Sequence, residues 1–206
     1  MVDMAHPHSP RIGVLALQGA FREHVEALHR CGASPVEIRT AQHLQGLHGL
    51  VLPGGESTVM AKLLVEEGLM EPLRAICCSG IRVMATCAGM ILLASELPGH
   101  EDQPRLGLMD ISVRRNAFGR QVDSFVSTLY VKGIDQTGNE AKDCSEPVEA
   151  VFIRAPLVER AGPDVAILAT VNGAPVAVQQ GNWLALSFHP ELTADLRFHR
   201  WVSNVE

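Results

Sequence analysis

Cys87 is the residue of this chain whose surroundings most clearly favour chemistry. It lies in Thr86-Cys-Ala-Gly89, between an apolar strand-like run and a helix-like run. A strand–turn–helix of this kind holds a nucleophile in strained backbone geometry, so its neighbours must be small. The free amides and dipole of the following helix favour the thiolate, which is the form that attacks a carbonyl carbon. The turn alone fits equally well a buried cysteine packed between strand and helix.

A cysteine nucleophile needs a base, and His189 is the best placed of the nine histidines. It ends an apolar run and precedes Pro190, which disfavours helical geometry at His189. In an extended segment Glu191 projects to the same side, as in the imidazole–carboxylate pair of serine and cysteine triads. Parallel strands carry chemistry at their carboxyl ends, so Cys87 and His189 are expected to meet. Alone, His-Pro-Glu is typical of a surface turn.

The other histidines and cysteines are predicted to have no catalytic role. His24, His29 and His199 lie on segments predicted to be helical, and we expect them on solvated helix surfaces. The five cysteines are odd in number and show no C-x-x-C spacing. These counts argue against a disulfide framework and against a zinc site.

The loop from Pro53 to Thr58 is the candidate oxyanion hole. Its sequence Pro-Gly-Gly-Glu-Ser-Thr follows a short apolar strand, and its glycines let backbone N–H groups face a ligand. The amides of Gly55 and Ala88 are the predicted donor pair. An ordinary strand-to-helix turn, with Ser57 or Thr58 as the helix N-cap, is the alternative. The phosphate-loop pattern G-x-x-x-x-G-K-[ST] is absent.

Composition indicates one ordered domain. The chain has 206 residues, of which 47% are apolar and 19% charged. The net charge of −6 argues against nucleic acid as a main partner. No apolar run is long enough to span a membrane, and the start has no apolar signal segment. We therefore expect a cytoplasmic protein with a flexible tail over 1–10 and a single domain over 11–206.

The order of apolar runs predicts an α/β fold. Up to about residue 105, short apolar runs alternate with amphipathic helices, which implies parallel strands joined by crossover helices. The later part is mostly strand-like, with a hairpin at Asn172-Gly173 and a closing helix near the end. A polar loop is predicted over 137–147. The predicted strands are 12–17, 36–39, 50–52, 81–86, 111–115, 125–131, 148–153, 165–170, 176–179 and 183–188, and 90–97 is predicted to be helical.

With these pieces aligned, the chain resembles the class I (triad) glutamine amidotransferases. More closely, it is similar to the PdxT/Sno family, the glutaminase subunits of pyridoxal 5′-phosphate synthase. The cysteine turn and His-Pro-Glu are shared with glutaminases in general, whereas Pro-Gly-Gly-Glu-Ser-Thr, Arg-Asn-Ala-Phe-Gly-Arg-Gln and Phe-Ile-Arg-Ala-Pro are more specific to this family. The resemblance extends over 12–200, and its matching segments are 13–19, 52–58, 86–94, 115–125, 151–156 and 187–193.

The resemblance implies a fold and a role for each matching residue. The fold is a three-layer one, with a mostly parallel (mixed) central sheet between helices, as in flavodoxin-like proteins. The nucleophile is Cys87, with His189 and Glu191 as its partners. The residues implied in binding glutamine are Gly55, Glu56, Ser57, Arg115, Ile153 and Arg154. Arginine and glutamate also suit the carboxylate and ammonium of free glutamine.

The resemblance further implies that ammonia passes to a synthase subunit in a large hetero-oligomer. Neither a metal nor an organic cofactor is expected, and the Gln18-Gly19 loop is a candidate part of the interface. Ala85 and Val126 depart from the usual family pattern, which leaves rate and docking less defined than the chemistry. Two alternatives remain: another enzyme of this fold, such as a peptidase or a different amidotransferase, and a non-catalytic subunit that only docks.

Overall fold

The computed structural model describes residues 9–115, 124–134 and 146–204. The predicted tail over 1–10 thus lies outside the described residues except for Ser9 and Pro10, and most of the predicted 137–147 loop lies outside them too. The strands are β1 Arg11–Leu15, β2 Ser34–Ile38, β3 Gly49–Leu52, β4 Arg82–Thr86, β5 Ala94–Glu96, β6 Met109–Arg114, β7 Ser124–Leu129, β8 Val148–Ile153, β9 Leu157–Ala161, β10 Ala166–Val171, β11 Ala174–Gln180 and β12 Trp183–Leu186. The α-helices are α1 Phe21–Arg30, α2 Ser57–Glu66, α3 Met70–Cys77, α4 Ala88–Leu93 and α5 Arg197–Ser203, with short 3-10 helices at Ala41–Leu44 and Pro190–Leu192.

A seven-stranded sheet in the order β10-β11-β12-β4-β3-β1-β2 forms the centre of the molecule. Its last five strands are parallel, and β11 pairs antiparallel with both β10 and β12. This arrangement confirms the predicted mostly parallel α/β fold. It also places the carboxyl ends of β3, β4 and β12 side by side at one edge of the sheet.

Alternating side chains of the central strands enter two apolar clusters on opposite faces. On β3, Leu50 and Leu52 join one cluster with α2, α3 and α4, whereas Val51 joins the other with α1 and α5. A strand buried on both faces produces the continuous apolar runs that the sequence contains. The second cluster includes edge-to-face contacts of Phe188 with Phe152 and Phe198, at centroid distances of 5.7 and 5.5 Å. The result is a three-layer molecule.

The predicted hairpin is confirmed, and backbone angles explain both this turn and the end of α1. Asn172 and Gly173 connect β10 to β11 with φ angles of 50° and 81°, as a two-residue hairpin of the mirror-image type requires. Gly32 follows α1 with φ of 78°, and Ala33 N–H donates to the carbonyl of Leu28. This is the usual glycine-ended helix terminus.

One element prediction is wrong, and one strand was missed. The helix expected over 90–97 ends at Leu93, because Ala94 becomes extended and pairs with Met109 of β6. Strand β9 was not predicted, since its charged Leu-Val-Glu-Arg-Ala sequence shows little apolar alternation. Both elements belong to the small sheet β5-β6-β9, where pairing between distant segments decides the local structure.

Strands β7 and β8 form a separate two-stranded sheet, and β7 corresponds to the strand predicted over 125–131.

Two residues depart from the usual family pattern. Val126 is exposed on β7, and Ala85 is fully buried in β4. Within the described ranges, every helix is too short or too polar to cross a membrane.

Candidate active site

Cys87 occupies the junction between β4 and α4 in the strained geometry that the sequence predicts. Its backbone has φ 48° and ψ −103°, a region that non-glycine residues rarely adopt. A hydrogen bond of 2.8 Å from the Cys87 N–H to the carbonyl of Leu186 on β12 stabilises this conformation. Gly89 must be small, because a Cβ atom there would lie 2.1 Å from the backbone oxygen of Leu52. Leu186 and Leu52 thus restrain the backbone turn that carries the Cys87 sulfur.

His189 and Glu191 lie next to each other just beyond β12. His189 Nδ1 is 2.7 Å from Glu191 Oε1, and the backbone N–H of His189 donates to Val151 of β8 at 2.9 Å. The pair forms through the 3-10 turn Pro190–Leu192 rather than through the continuous extended segment that we expected. The expected imidazole–carboxylate contact is therefore present, but the local geometry behind the prediction is wrong.

The environment of His189 favours its protonated form. Burial opposes the charge, but hydrogen bonds with Cys87 and Glu191 and their negative charge raise the pKa of His189 to about 10. Burial also opposes ionisation of Glu191, yet interactions with His24 and His189 hold the pKa of Glu191 below its usual value. These shifts favour an imidazolium at His189 beside a carboxylate at Glu191, next to the Cys87 sulfur.

The histidine predictions are wrong at two of three helical positions. His29 is exposed as expected, whereas His24 and His199 are fully buried. His24 lies on the same helical stripe as Phe21 and Leu28, three and four residues away, and this spacing was the available signal. His199 follows Phe198, whose burial was predictable, but nothing local identifies the neighbouring imidazole as buried.

The glycine loop lies against the two catalytic candidates. A Cβ atom on Gly54 would lie 2.4 Å from Cε1 of His189 and 3.4 Å from Cβ of Cys87. Gly54 O accepts from Ala20 N–H at 3.0 Å, and because the peptide is trans, Gly55 N–H points to the opposite side. The Ala88 N–H is at the first position of α4, where the helix supplies no acceptor.

Glu56 caps α2 and pairs with Arg115. Its carboxylate accepts from the N–H groups of Thr58 and Val59 at 3.3 and 2.9 Å, so neither Ser57 nor Thr58 is the N-cap that the alternative assumed. Arg115 Nη2 lies 3.1 Å from Glu56 Oε1. Burial opposes ionisation of Glu56, but these N–H bonds and Arg115 lower its pKa.

Ser57 and the end of β8 complete the candidate binding residues. Ser57 is 2% exposed, and its Oγ has no hydrogen-bond partner among the residues described. The backbone oxygen of Ile153 lies 3.9 Å from Cys87 Sγ. Arg154 has φ 42° and an exposed side chain. Backbone strain thus occurs at both Cys87 and Arg154, as is common where binding sites form.

Together these groups make an arrangement suited to acyl transfer. The Cys87 thiol, the His189 imidazole and the Glu191 carboxylate meet the backbone N–H groups of the glycine loop and α4 at the carboxyl ends of β3, β4 and β12. Among the residues that the structure describes, no three His, Cys, Asp or Glu side chains are grouped so as to hold a metal ion.

Comparison with known proteins gives a consistent family. The model of the SNO glutamine amidotransferase family matches residues 14–206. The chain is 56% identical to "Pyridoxal 5′-phosphate synthase subunit PdxT" of Frankia alni, over 93% of this chain and 92% of the relative. It is 53% identical to the protein of the same name from Moorella thermoacetica, over 93% and 96% of the two chains.

Solved structures agree with the sequence comparisons. A crystal structure described as a glutamine amidotransferase superposes with a TM-score of 0.85 at 47% identity, covering 94% of this chain and 97% of the other. The structure of PurLQS from Thermotoga maritima superposes with a TM-score of 0.69 at 20% identity, over 95% and 98% of the two chains, and is similar in fold alone.

Proposed function

This chain belongs to the SNO glutamine amidotransferase family, and we propose that it hydrolyses L-glutamine to L-glutamate and ammonia through Cys87, as the glutaminase subunit of a pyridoxal 5′-phosphate synthase. The sequence resemblance is thereby confirmed at the level of the family. The observation that carries the proposal for the site is the strained Cys87 turn beside the 2.7 Å His189–Glu191 contact.

The reaction begins with the proton shared by Cys87 and His189. With a pKa of about 10, His189 holds this proton at neutral pH, and we propose that it comes from the Cys87 thiol. The sulfur then attacks the side-chain carbonyl carbon of glutamine, and the C=O electron pair moves to oxygen. Glu191 keeps the imidazole in the orientation that this transfer needs.

The oxyanion and the leaving group need separate partners. The backbone N–H groups of Gly55 and Ala88 are the proposed donors to the oxyanion. The imidazolium of His189 gives its proton to the amide nitrogen as the C–N bond breaks, which releases ammonia and leaves a glutamyl thioester on Cys87. Water, deprotonated by His189, then attacks the thioester and releases glutamate. Neither a metal nor an organic cofactor takes part in these steps.

The two charges of free glutamine require charged partners at the other end of the site. Glu56 and Arg115 already form an ion pair of 3.1 Å beside the glycine loop, and Arg154 follows Ile153 at the end of β8. We propose that an arginine fork binds the substrate carboxylate and that Glu56 binds its ammonium. Ser57, whose buried Oγ lacks a partner within the described ranges, is the proposed additional hydrogen-bonding group.

The ammonia goes to a synthase subunit, which we propose as the partner in a large hetero-oligomer. Gln18 supports this proposal, since its side-chain oxygen accepts from Glu56 N–H at 2.8 Å and so links the loop after β1 to the glycine loop. Docking at Gln18-Gly19 would reach the candidate oxyanion hole directly. We also propose a cytoplasmic location and a single domain over 11–206. The four cysteines within the described residues are free, as a reducing compartment would leave them.

The test separates glutamine use from ammonia use. With the synthase subunit present, Cys87→Ala is expected to abolish synthesis of pyridoxal 5′-phosphate from glutamine while leaving synthesis from ammonium salts intact. Cys78→Ala, at an exposed cysteine, is the matched control and should retain both. Glutaminase activity that persists in Cys87→Ala would contradict the mechanism.

The same assay separates the two alternatives. A non-catalytic subunit would release no glutamate with or without the synthase subunit. A different amidotransferase or a peptidase would act without regard to that subunit. The proposed function predicts glutamate release that rises when the synthase subunit is added.

A further inference from the structure

A buried pair of histidines lies behind the candidate triad, and the mechanism above does not use it. His24 of α1 and His199 of α5 are both fully buried, and His24 Nδ1 lies 3.0 Å from His199 Nε2. His24 Nε2 lies 3.3 Å from Glu191 Oε2 and 3.3 Å from Thr86 Oγ1. Thr86 directly precedes Cys87, so the pair contacts both the carboxylate and the strand that carries the nucleophile.

Among the described residues, the second oxygen of Glu191 has no partner other than His24. Oε1 is occupied by His189, whereas Oε2 is completely buried and makes no well-aligned hydrogen bond within the described part of the chain. A buried carboxylate oxygen without a donor is unfavourable. The His24 imidazole is the polar group that faces it.

One proton arrangement accounts for the contacts of His24 with Glu191, Thr86 and His199. A carboxylate only accepts, so the favourable arrangement is the one in which His24 Nε2, 3.3 Å from both Glu191 Oε2 and Thr86 Oγ1, carries its hydrogen. In a neutral imidazole the other nitrogen is then a bare acceptor, and His199 Nε2 must donate to it. His199 Nδ1 is left as a bare acceptor, and it has no hydrogen-bond partner among the described residues.

The surrounding charges agree with two neutral rings. Burial lowers the pKa of His24, although Glu191 acts in the opposite sense. Burial and the neighbouring His24 lower the pKa of His199 to about 3. The other charged groups that act on the pair are His189, Glu23, Arg30 and Asp195, and they do not reverse either shift.

We propose that His24, held in a single tautomer by His199, is a positioning residue for Glu191 and, through it, for His189. It fixes the carboxylate from the side opposite to His189, so that Oε1 stays directed at the imidazole during proton transfer. Partners behind a functional histidine act in this way in other sites. The expected effect on kcat rests on the proposed glutaminase function. The expected effect on the His189 titration is independent of that function.

The first experiment compares a variant that keeps the donor with one that removes it. His24→Gln retains an N–H group near the position of Nε2, whereas His24→Phe retains only a ring. His29→Phe, at the exposed position five residues later on α1, is the matched control. Glutamine hydrolysis is measured with the full chain and the synthase subunit, together with NMR titration of the His189 ring in each variant.

His24→Phe is expected to lower kcat by on the order of tenfold with little change in KM, and to shift the His189 titration to lower pH. His24→Gln should recover most of both quantities, and His29→Phe should change neither. Equal losses in the Gln and Phe variants would overturn the proposal, as would an unchanged His189 titration in a folded Phe variant.

A second pair of variants covers the case in which His24→Phe does not fold. His199→Gln keeps the donor to His24 Nδ1, whereas His199→Leu removes it and frees His24 to change tautomer. The Leu variant should show the kcat loss and the His189 shift, and the Gln variant should not. If wild-type protein lacks glutaminase activity, the proposed function fails, but the His189 titrations still decide this inference.

Discussion

The two oxygens of Glu191 face histidines whose proton affinities shift in opposite directions. On one side the pKa of His189 rises to about 10, and on the other burial lowers the pKa of His24 and takes that of His199 to about 3. All three rings are buried, so burial alone does not explain the difference. Interactions with the Cys87 sulfur and the Glu191 carboxylate raise the pKa of His189, whereas His24 lies 3.3 Å from the same carboxylate and faces a second imidazole. One carboxylate therefore supports a charged ring in the site and a neutral ring behind it.

The largest effect should come from removing the charge that both sides share. Glu191→Gln is expected to lower glutaminase kcat on the order of 10³-fold or more, by analogy with the carboxylate-to-amide change in a serine triad. It should also lower the pKa of His189, since an attractive charge is lost. Steady-state kinetics with the synthase subunit measure the first effect, and ring NMR measures the second. Glu67→Gln, at an exposed carboxylate, is the control, and an active Glu191→Gln would contradict the triad assignment.

The neutral imidazole of His199 should affect the free energy of unfolding at acidic pH. Folding lowers the pKa of His199 from 6.5 to about 3. As the pH falls below 6.5, the unfolded chain therefore binds a proton that the folded chain does not, and the folded state loses stability. The full shift corresponds to roughly 5 kcal/mol at about 1.4 kcal/mol per pKa unit. In His199→Gln, which does not titrate, the loss of unfolding free energy between pH 7 and pH 4 should be smaller by roughly 3 kcal/mol. Urea unfolding at the two pH values measures it, and identical pH dependence in both proteins would refute it.

The His189 imidazole should lose its proton, and its contribution to stability, only at alkaline pH. The pKa of His189 is above its unfolded value of 6.5, so its stabilisation is complete below 6.5 and is lost as pH rises towards 10. Cys87→Ala removes the interaction with the Cys87 sulfur, one of those that raise the pKa of His189, and should lower that pKa by about one unit or more. NMR titration of the ring measures the change. A His189 that titrates unchanged in Cys87→Ala would show that Glu191 alone raises its pKa.

The smallest effect should come from the exposed histidine of the same helix. His29→Gln lies on the solvent side of α1 and should change the unfolding free energy by less than about 0.5 kcal/mol, with kcat unchanged. Chemical denaturation and the glutaminase assay measure both. A larger effect would mean that the results at His24 reflect disturbance of helix α1 in general and not the loss of the His24 imidazole.

The sequence predicted the parts of the site that follow strand ends. Cys87 and His189 each come directly after an apolar run, and the parallel arrangement of β4 and β12 brings such positions together. The Glu191 contact was also predicted, although it forms in a 3-10 turn. The glycine loop was predicted because glycines after a strand leave backbone groups exposed. These features are all encoded within a few residues.

The features that the sequence did not predict depend on distant partners. His24 and His199 are 175 positions apart, and each becomes buried because the other helix covers it. Glu56 caps α2 although Ser57 and Thr58 are more usual caps, because Arg115 stabilises its charge from 59 positions away. Strand β9 forms because β6 is available beside it. Local patterns carry no record of such pairings.

The contact between α1 and α5 also concerns the order in which the molecule becomes functional. Glu191 is supported by one residue near the start of the fold and by another in its last helix, His199. A chain still leaving the ribosome has its nucleophile long before it has the second imidazole. A change that separates α1 from α5 is therefore expected to lower glutamine hydrolysis, although neither helix carries a residue of the proposed triad.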